Sequence, residues 1–178
     1  MPTVKQIARK FESTDGAEIA EAAVVLPLVF MLILGIVWFG RAFNIYSTIQ
    51  QAAQQGAIAA ARDTCATCAG GNDPTNNAAT AATAVVAVMS ASNLDTSQIQ
   101  AWQPAFSSCP SPPSPVGKCT NAGPNVWVCR SVLLNSAGQP AQCGAVVSFQ
   151  YPFSFNVPYT SLNHQVVMSA QAQSRMEN

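Results

Sequence analysis

Charge is scarce in this chain. Eight Lys and Arg and eight Asp and Glu cancel across 178 residues. Between Arg62 and Arg175 the only cations are Lys118 and Arg130. Binding to nucleic acid requires clustered Lys and Arg that displace counterions from phosphates, so that class is excluded. Acids are equally sparse in the second part of the chain, where Asp63, Asp73, Asp95 and Glu177 stand alone. No carboxylate pair and no glycine-rich phosphate loop is present. The single histidine, His164, has no Ser-His-Asp or metal-ligand spacing around it. A general base needs oriented partners, so His164 reads as a loop or strand-edge residue. No catalytic residue, metal site or cofactor is expected, and the chain does not read as an enzyme. Cysteine is missing before residue 65.

What the chain does have is a long apolar run. Ala22 to Gly40 is 19 residues without a charge. At about 1.5 Å per residue it reaches roughly 28 Å as a helix, close to the hydrocarbon thickness of a bilayer. Lys5, Arg9 and Lys10 precede it, and only Arg41 follows closely. The positive-inside rule therefore places the N-terminus in the cytoplasm and the rest outside, as a single-pass protein of the inner (cytoplasmic) membrane. A secretory signal peptide fits less well. The run exceeds the usual h-region, acidic Glu12, Asp15, Glu18 and Glu21 intrude before it, and no small-x-small cleavage site follows. A plain membrane anchor explains the span but not the placing of Gly16 and Glu21.

The run Gly16-x4-Glu21, then Ala22-Ala23-Val24-Val25-Leu26-Pro27-Leu28 and Gly35-Ile36-Val37-Trp38-Phe39-Gly40-Arg41-Ala42-Phe43, resembles the TadE-like family. These are pseudopilins of the tight-adherence (Tad/Flp) pilus system. The similarity continues through Tyr46, Gln50, Ala52-Ala53 and Gly56-Ala57 to Ala60-Ala61-Arg62, and Met168 to Glu177 is similar to the family's last strand. Relatives often carry Tyr or Phe just after the carboxylate, where this chain has Ala22. The resemblance implies a leader, residues 1–16, cut between Gly16 and Ala17 by a prepilin peptidase. Glycine suits that position because it offers no side chain to obstruct a protease approaching the backbone. Glu21 becomes the fifth residue after the cut. A carboxylate at the membrane edge is costly unless paired, and the resemblance implies a neighbouring subunit's amino terminus as its partner. A Glu21 simply solvated among headgroups is the alternative, and Glu18 could share either role. The further partners implied are other pilins or pseudopilins, the inner-membrane assembly platform and membrane lipid.

Beyond the span, Ala42, Ile45, Tyr46, Ile49, Ala52, Ala53, Gly56, Ala57 and Ala60 recur at three- and four-residue intervals. Asn44, Ser47, Thr48, Gln51, Gln54 and Gln55 fill the other face. One helix from Ala17 to Ala61 is predicted, with a possible kink at Pro27. Gly70-Gly71-Asn72 breaks it. Asp73-Pro74 then caps a second helix, whose stripe is Ala78, Ala81, Ala82, Val85, Val88 and Met89, ending near Ser92-Asn93. Strands are predicted over Ile99–Phe106, Val126–Leu134, Val147–Val157 and Val166–Arg175. The alternation of Val147, Phe149, Tyr151, Phe153 and Phe155 predicts one buried and one wet sheet face. Pro152 predicts an edge or a break there.

Six cysteines, Cys65, Cys68, Cys109, Cys119, Cys129 and Cys143, lie on one side of the span. An even count on that side points to an oxidising compartment and disulfides. The sequence does not fix the pairing; neighbours along the chain give Cys65–Cys68, Cys109–Cys119 and Cys129–Cys143. Cys65-x-x-Cys68 invites a different reading, a membrane-anchored extracytoplasmic thiol oxidoreductase. It follows a helix C-terminus, where the dipole disfavours a thiolate, and no βαβ pattern surrounds it. Zinc binding by these cysteines meets the objection that an exported chain oxidises them. Prolines 110, 112, 113 and 115 stiffen the stretch between Cys109 and Cys119.

The expected architecture is α+β: a membrane-spanning helix, 17–41, continuing into a pilin-like exported domain, 42–178, with a second helix and a small antiparallel sheet. The expected function is that of a minor pilin, with a type II secretion pseudopilin as the alternative of the same class.

Overall fold

The computed structural model describes residues 14–62, 74–109, 119–135, 141–156 and 163–175. Two helices come first, α1 (Thr14–Ala61) and α2 (Pro74–Ala91). A short 3-10 turn (Thr96–Gln98) follows, and then four strands: β1 (Cys119–Ala122), β2 (Val126–Leu133), β3 (Cys143–Asn156) and β4 (Asn163–Arg175). The strands form one antiparallel sheet in the order β1-β2-β3-β4. The fold class is therefore α+β, as expected. The chain divides into two units, residues 1–43 and 44–178.

In the second unit the core is built from small side chains on the helices and large ones on the sheet. Ile49, Ala52, Ala53, Ala57 and Ala60 of α1 and Ala81, Ala82, Val85 and Met89 of α2 share one buried cluster with Val126, Val128, Val147, Phe149 and Tyr151. The three- and four-residue spacing of these positions is what aligns them along one face of each helix. Alanine gives up burial area but lets backbones approach. Gly56 marks a close approach between the two helices: a Cβ there would stand 2.7 Å from Val85 Cγ2 and 3.3 Å from both Ala81 O and Val147 Cγ1. Two positions depart from the expected stripe. Tyr46 is exposed and Thr48, one turn before Ala52, is buried.

The Ile99–Phe106 segment is a strap rather than a strand. Asp95 opens it by accepting the Ser97 N–H at 3.0 Å, which caps the 3-10 turn. Gln100 then exchanges both backbone bonds with Gln150 at 2.9 Å. Trp102 O accepts from Ser148 Oγ at 2.8 Å. Ser107 O and Cys109 N bond Leu133 N and Ser131 O, both at 2.9 Å. This strap corrects the expectation of a wet outer sheet face, because Val146 and Ser148 are as fully buried as Val147 and Phe149. A second small cluster, Cys129, Val132 and Val146 with Phe106, Cys119 and Leu134 against it, lies on that side.

β1, which sequence reading missed, is short and joined to β2 by a three-residue turn. Gly123 and Asn125 both take positive φ there, 60° and 59°, the region glycine and asparagine tolerate best. Asn125 Nδ2 also donates to Ile99 O at 2.9 Å, tying the turn to the strap. A register shift between Cys129 and Val132 places an extra residue in β2, and Ser131 absorbs it at φ 56°. β3 runs unbroken through Pro152, so the predicted break does not occur. Alternate residues of a strand direct their backbone groups to the same edge. Pro152 therefore faces the edge that Gln150 uses for Gln100, beyond the last β2 pair at Ser148. The missing N–H costs no ladder bond there.

Candidate membrane and assembly surface

α1 begins at Thr14, so Gly16 and Ala17 lie in its first turn, and Pro27 lies inside the helix without ending it. Residues 1–13, the bulk of the expected leader, are outside the described residues, as are the side chains of residues 14–18, Glu18 included. Glu21 is exposed. From Ala22 to Gly40 the helix is apolar on every side. Fifteen large hydrophobic residues between Ile19 and Phe43 are exposed, among them Val24 at 74%, Met31 at 76% and Phe39 at 80%. A window of this helix has a mean hydropathy of 2.7, and none of it is buried. Each such side chain gains about 1.5–3 kcal/mol when removed from water. Fifteen together exceed the roughly 5–15 kcal/mol by which whole domains are stable. The segment has the length and apolarity to cross a membrane.

The amphipathic continuation, residues 44–61, uses one face for the sheet and presents Gln51, Gln54 and Gln55 to solvent. Gln50 Nε2 donates to Ser169 O of β4 at 3.3 Å. This carbonyl belongs to the edge of the sheet, since Ser169 pairs with Gln150, whose own backbone groups point the other way.

Two disulfides are described, Cys109–Cys143 and Cys119–Cys129. Both differ from the pairing by sequence proximity. Cys119 stands directly opposite Cys129 across the β1–β2 hairpin, with Cα atoms 4.0 Å apart. The strap carries Cys109 to the end of β2, beside the start of β3, where Cys143 lies 5.8 Å away, Cα to Cα. Strand register and the strap decided the pairing, and neither was visible in the spacing. Cys65 and Cys68 are outside the described residues, and so is the side chain of His164.

Two groups in the second unit have perturbed acidity. Hydrogen bonds from the Ser97 hydroxyl and backbone N–H hold the Asp95 carboxyl below its ordinary 3.8. Burial pushes the Tyr151 phenol above its ordinary 10.0, against the pull of a backbone hydrogen bond at Asp95. These two meet at the start of the strap and are structural in character: one caps a turn, the other fills the core. A shallow open depression on α2 is lined by Ala79, Thr80, Thr83, Ala84 and Ala87, none of which can act as an acid, a base or a metal ligand at neutral pH. Among the described residues no group of three or more His, Cys, Asp or Glu is placed to hold a metal ion.

Comparison with known proteins agrees with the helix. Residues 16–57 match the family model described as TadE-like protein. The match begins at Gly16 and ends one residue after Gly56, thus covering the apolar run and most of the amphipathic continuation. Comparisons with curated proteins and with solved structures returned no match.

Proposed function

We propose that this chain is a minor pilin or pseudopilin of a Tad-type pilus, made as a precursor and acting in pilus assembly, adhesion or secretion. The observation that carries the reading is the TadE-like match at residues 16–57, lying over an exposed apolar helix that continues into a disulfide-bonded α+β unit. In this reading a prepilin peptidase removes residues 1–16 between Gly16 and Ala17. Glu21 pairs with the amino terminus of a neighbouring pilin. The N-terminus is cytoplasmic, the span crosses the inner membrane, and the disulfide-bonded unit is exported. The assembly platform and other pilins are its protein partners.

The test is the amino-terminal sequence and intact mass of the protein from membranes, with and without the peptidase. A peptidase-dependent start at Ala17 is expected. An intact Met1 in both strains would overturn the processing claim. Glu21→Gln is expected to leave cleavage unchanged and to reduce incorporation into pili. Unchanged incorporation would remove the assembly role of Glu21.

A further inference from the structure

The uncharged run ends in an unusual cluster. Trp38, Phe39, Arg41 and Phe43 fall within six residues. Phe39 is 80% exposed and Phe43 70% exposed, Arg41 is exposed, and Trp38 is half-buried. Helical residues advance by about 100° each. Phe39 and Phe43 thus share one side of α1, while Trp38 and Arg41, three residues apart, share an adjoining one. Together the four cover roughly 200° of the helix circumference.

That arrangement distinguishes between occupants. A second helix contacts one stripe of its partner and leaves the far side free. Aromatic groups with one cation over so wide an arc, at the end of an apolar run that is exposed on all sides, fit a medium that surrounds the helix and changes from apolar to polar along its axis. Trp prefers that boundary because its ring is apolar and its N–H is a donor. Arg lays its aliphatic stem on the hydrocarbon and lifts its guanidinium into the headgroups.

We infer that Trp38, Phe39, Arg41 and Phe43 form an interfacial anchor that binds the lipid headgroup boundary and fixes the depth of α1 in the bilayer. The inference rests on the proposed membrane-spanning role of α1. It has a consequence at the opposite end. Glu21 lies seventeen residues before Trp38, about 26 Å along the helix axis. A hydrocarbon core is about 30 Å thick. With Trp38 held at one boundary, Glu21 is held just inside the other, at the margin where an unpaired carboxylate is costly. The anchor therefore places Glu21 where a partner matters most.

The test uses the full chain reconstituted in phosphatidylcholine vesicles whose lipids carry bromine either near the headgroup or near the chain terminus. The contribution of Trp38 is the difference in quenching between the natural chain and Trp38→Phe, which leaves Trp102 and Trp127 in place. Quenching of Trp38 mainly by the shallow bromines is expected. Arg41→Leu, measured against its own Trp38→Phe counterpart, is expected to shift quenching toward the deep bromines. Mainly deep quenching in the natural chain, or no shift with Arg41→Leu, would overturn the anchor while leaving the span intact. No quenching of Trp38 at either depth would overturn both the anchor and the membrane-spanning role.

Discussion

The two halves of α1 share one backbone conformation and differ in everything that surrounds it. Residues 22–40 are apolar all round and largely exposed, whereas residues 44–61 confine their apolar groups mainly to one face and bury it. The first half uses large residues such as Leu, Phe, Ile and Met. The second uses Ala and Gly, and Gly56 permits a contact with Val85 that any Cβ would obstruct. The difference teaches that a helix carries the specification of its environment in its periodicity. A uniform apolar surface calls for a uniform apolar solvent. A stripe calls for a partner of matching shape.

The largest test of this contrast is Phe149→Ala. Phe149 is wholly buried in the sheet that receives the second half of α1. Its truncation should cost about 3–5 kcal/mol of the second unit's stability. Thermal unfolding in detergent should show a marked loss, while flotation with membranes stays unchanged. Loss of membrane association would break the separation between the halves. Leu32→Arg is the converse experiment, since Leu32 is 58% exposed near the middle of the span. An arginine at a span's centre costs about 2.5–3.5 kcal/mol on insertion scales. The variant should lose membrane association and keep the unfolding transition of its second unit. Retained association would show that the first half is covered by something other than lipid.

The smallest effect sharpens the comparison within the second unit. Asp95 has a lowered folded pKa because Ser97 donates to its ionised form. The contribution of that cap is therefore present above the unfolded carboxyl value and lost as pH falls through the lowered folded value. Asp95→Ala should reduce Tm modestly at neutral pH. The gap between variant and natural chain should close on acidification below about pH 3.8, the ordinary carboxyl value. A gap that widens in acid would show that Asp95 acts otherwise than as an ionised cap.

Much of this was legible in the sequence, and what was legible was periodic. The spacing of Ile49, Ala52, Ala53 and Ala57 gave the buried face of α1. That of Ala78, Ala81, Ala82, Val85 and Met89 gave α2. The alternation from Val147 to Phe155 gave β3. The elements without a period were missed. β1 is four residues long and carries no alternation that distinguishes it from its loop. The strap from Asp95 to Cys109 is held by isolated backbone bonds to β3 and β2, which depend on strands brought in from elsewhere in the chain. Asp95-x-Ser97 was a signal for its capped start, though nothing in those residues announced its course. The disulfides followed the strap and the hairpin, so a pairing by proximity had no physical basis. The candidate surface was more legible than the domain, because lipid asks only for length and apolarity, and both are local properties.

Pro152 has a consequence beyond the tolerance of a missing hydrogen bond. Beyond Gln150, among the described residues, no strand pairs with β3 on the side where β2 has ended. An open strand edge of that kind is a template on which a second chain can add, and proteins that meet one another at high local density are the most exposed to it. A proline set into that stretch withholds a donor that an incoming strand would need. In the pilin role proposed above, association in one prescribed way would thereby be protected, by a single ring, from one of the commonest wrong ways.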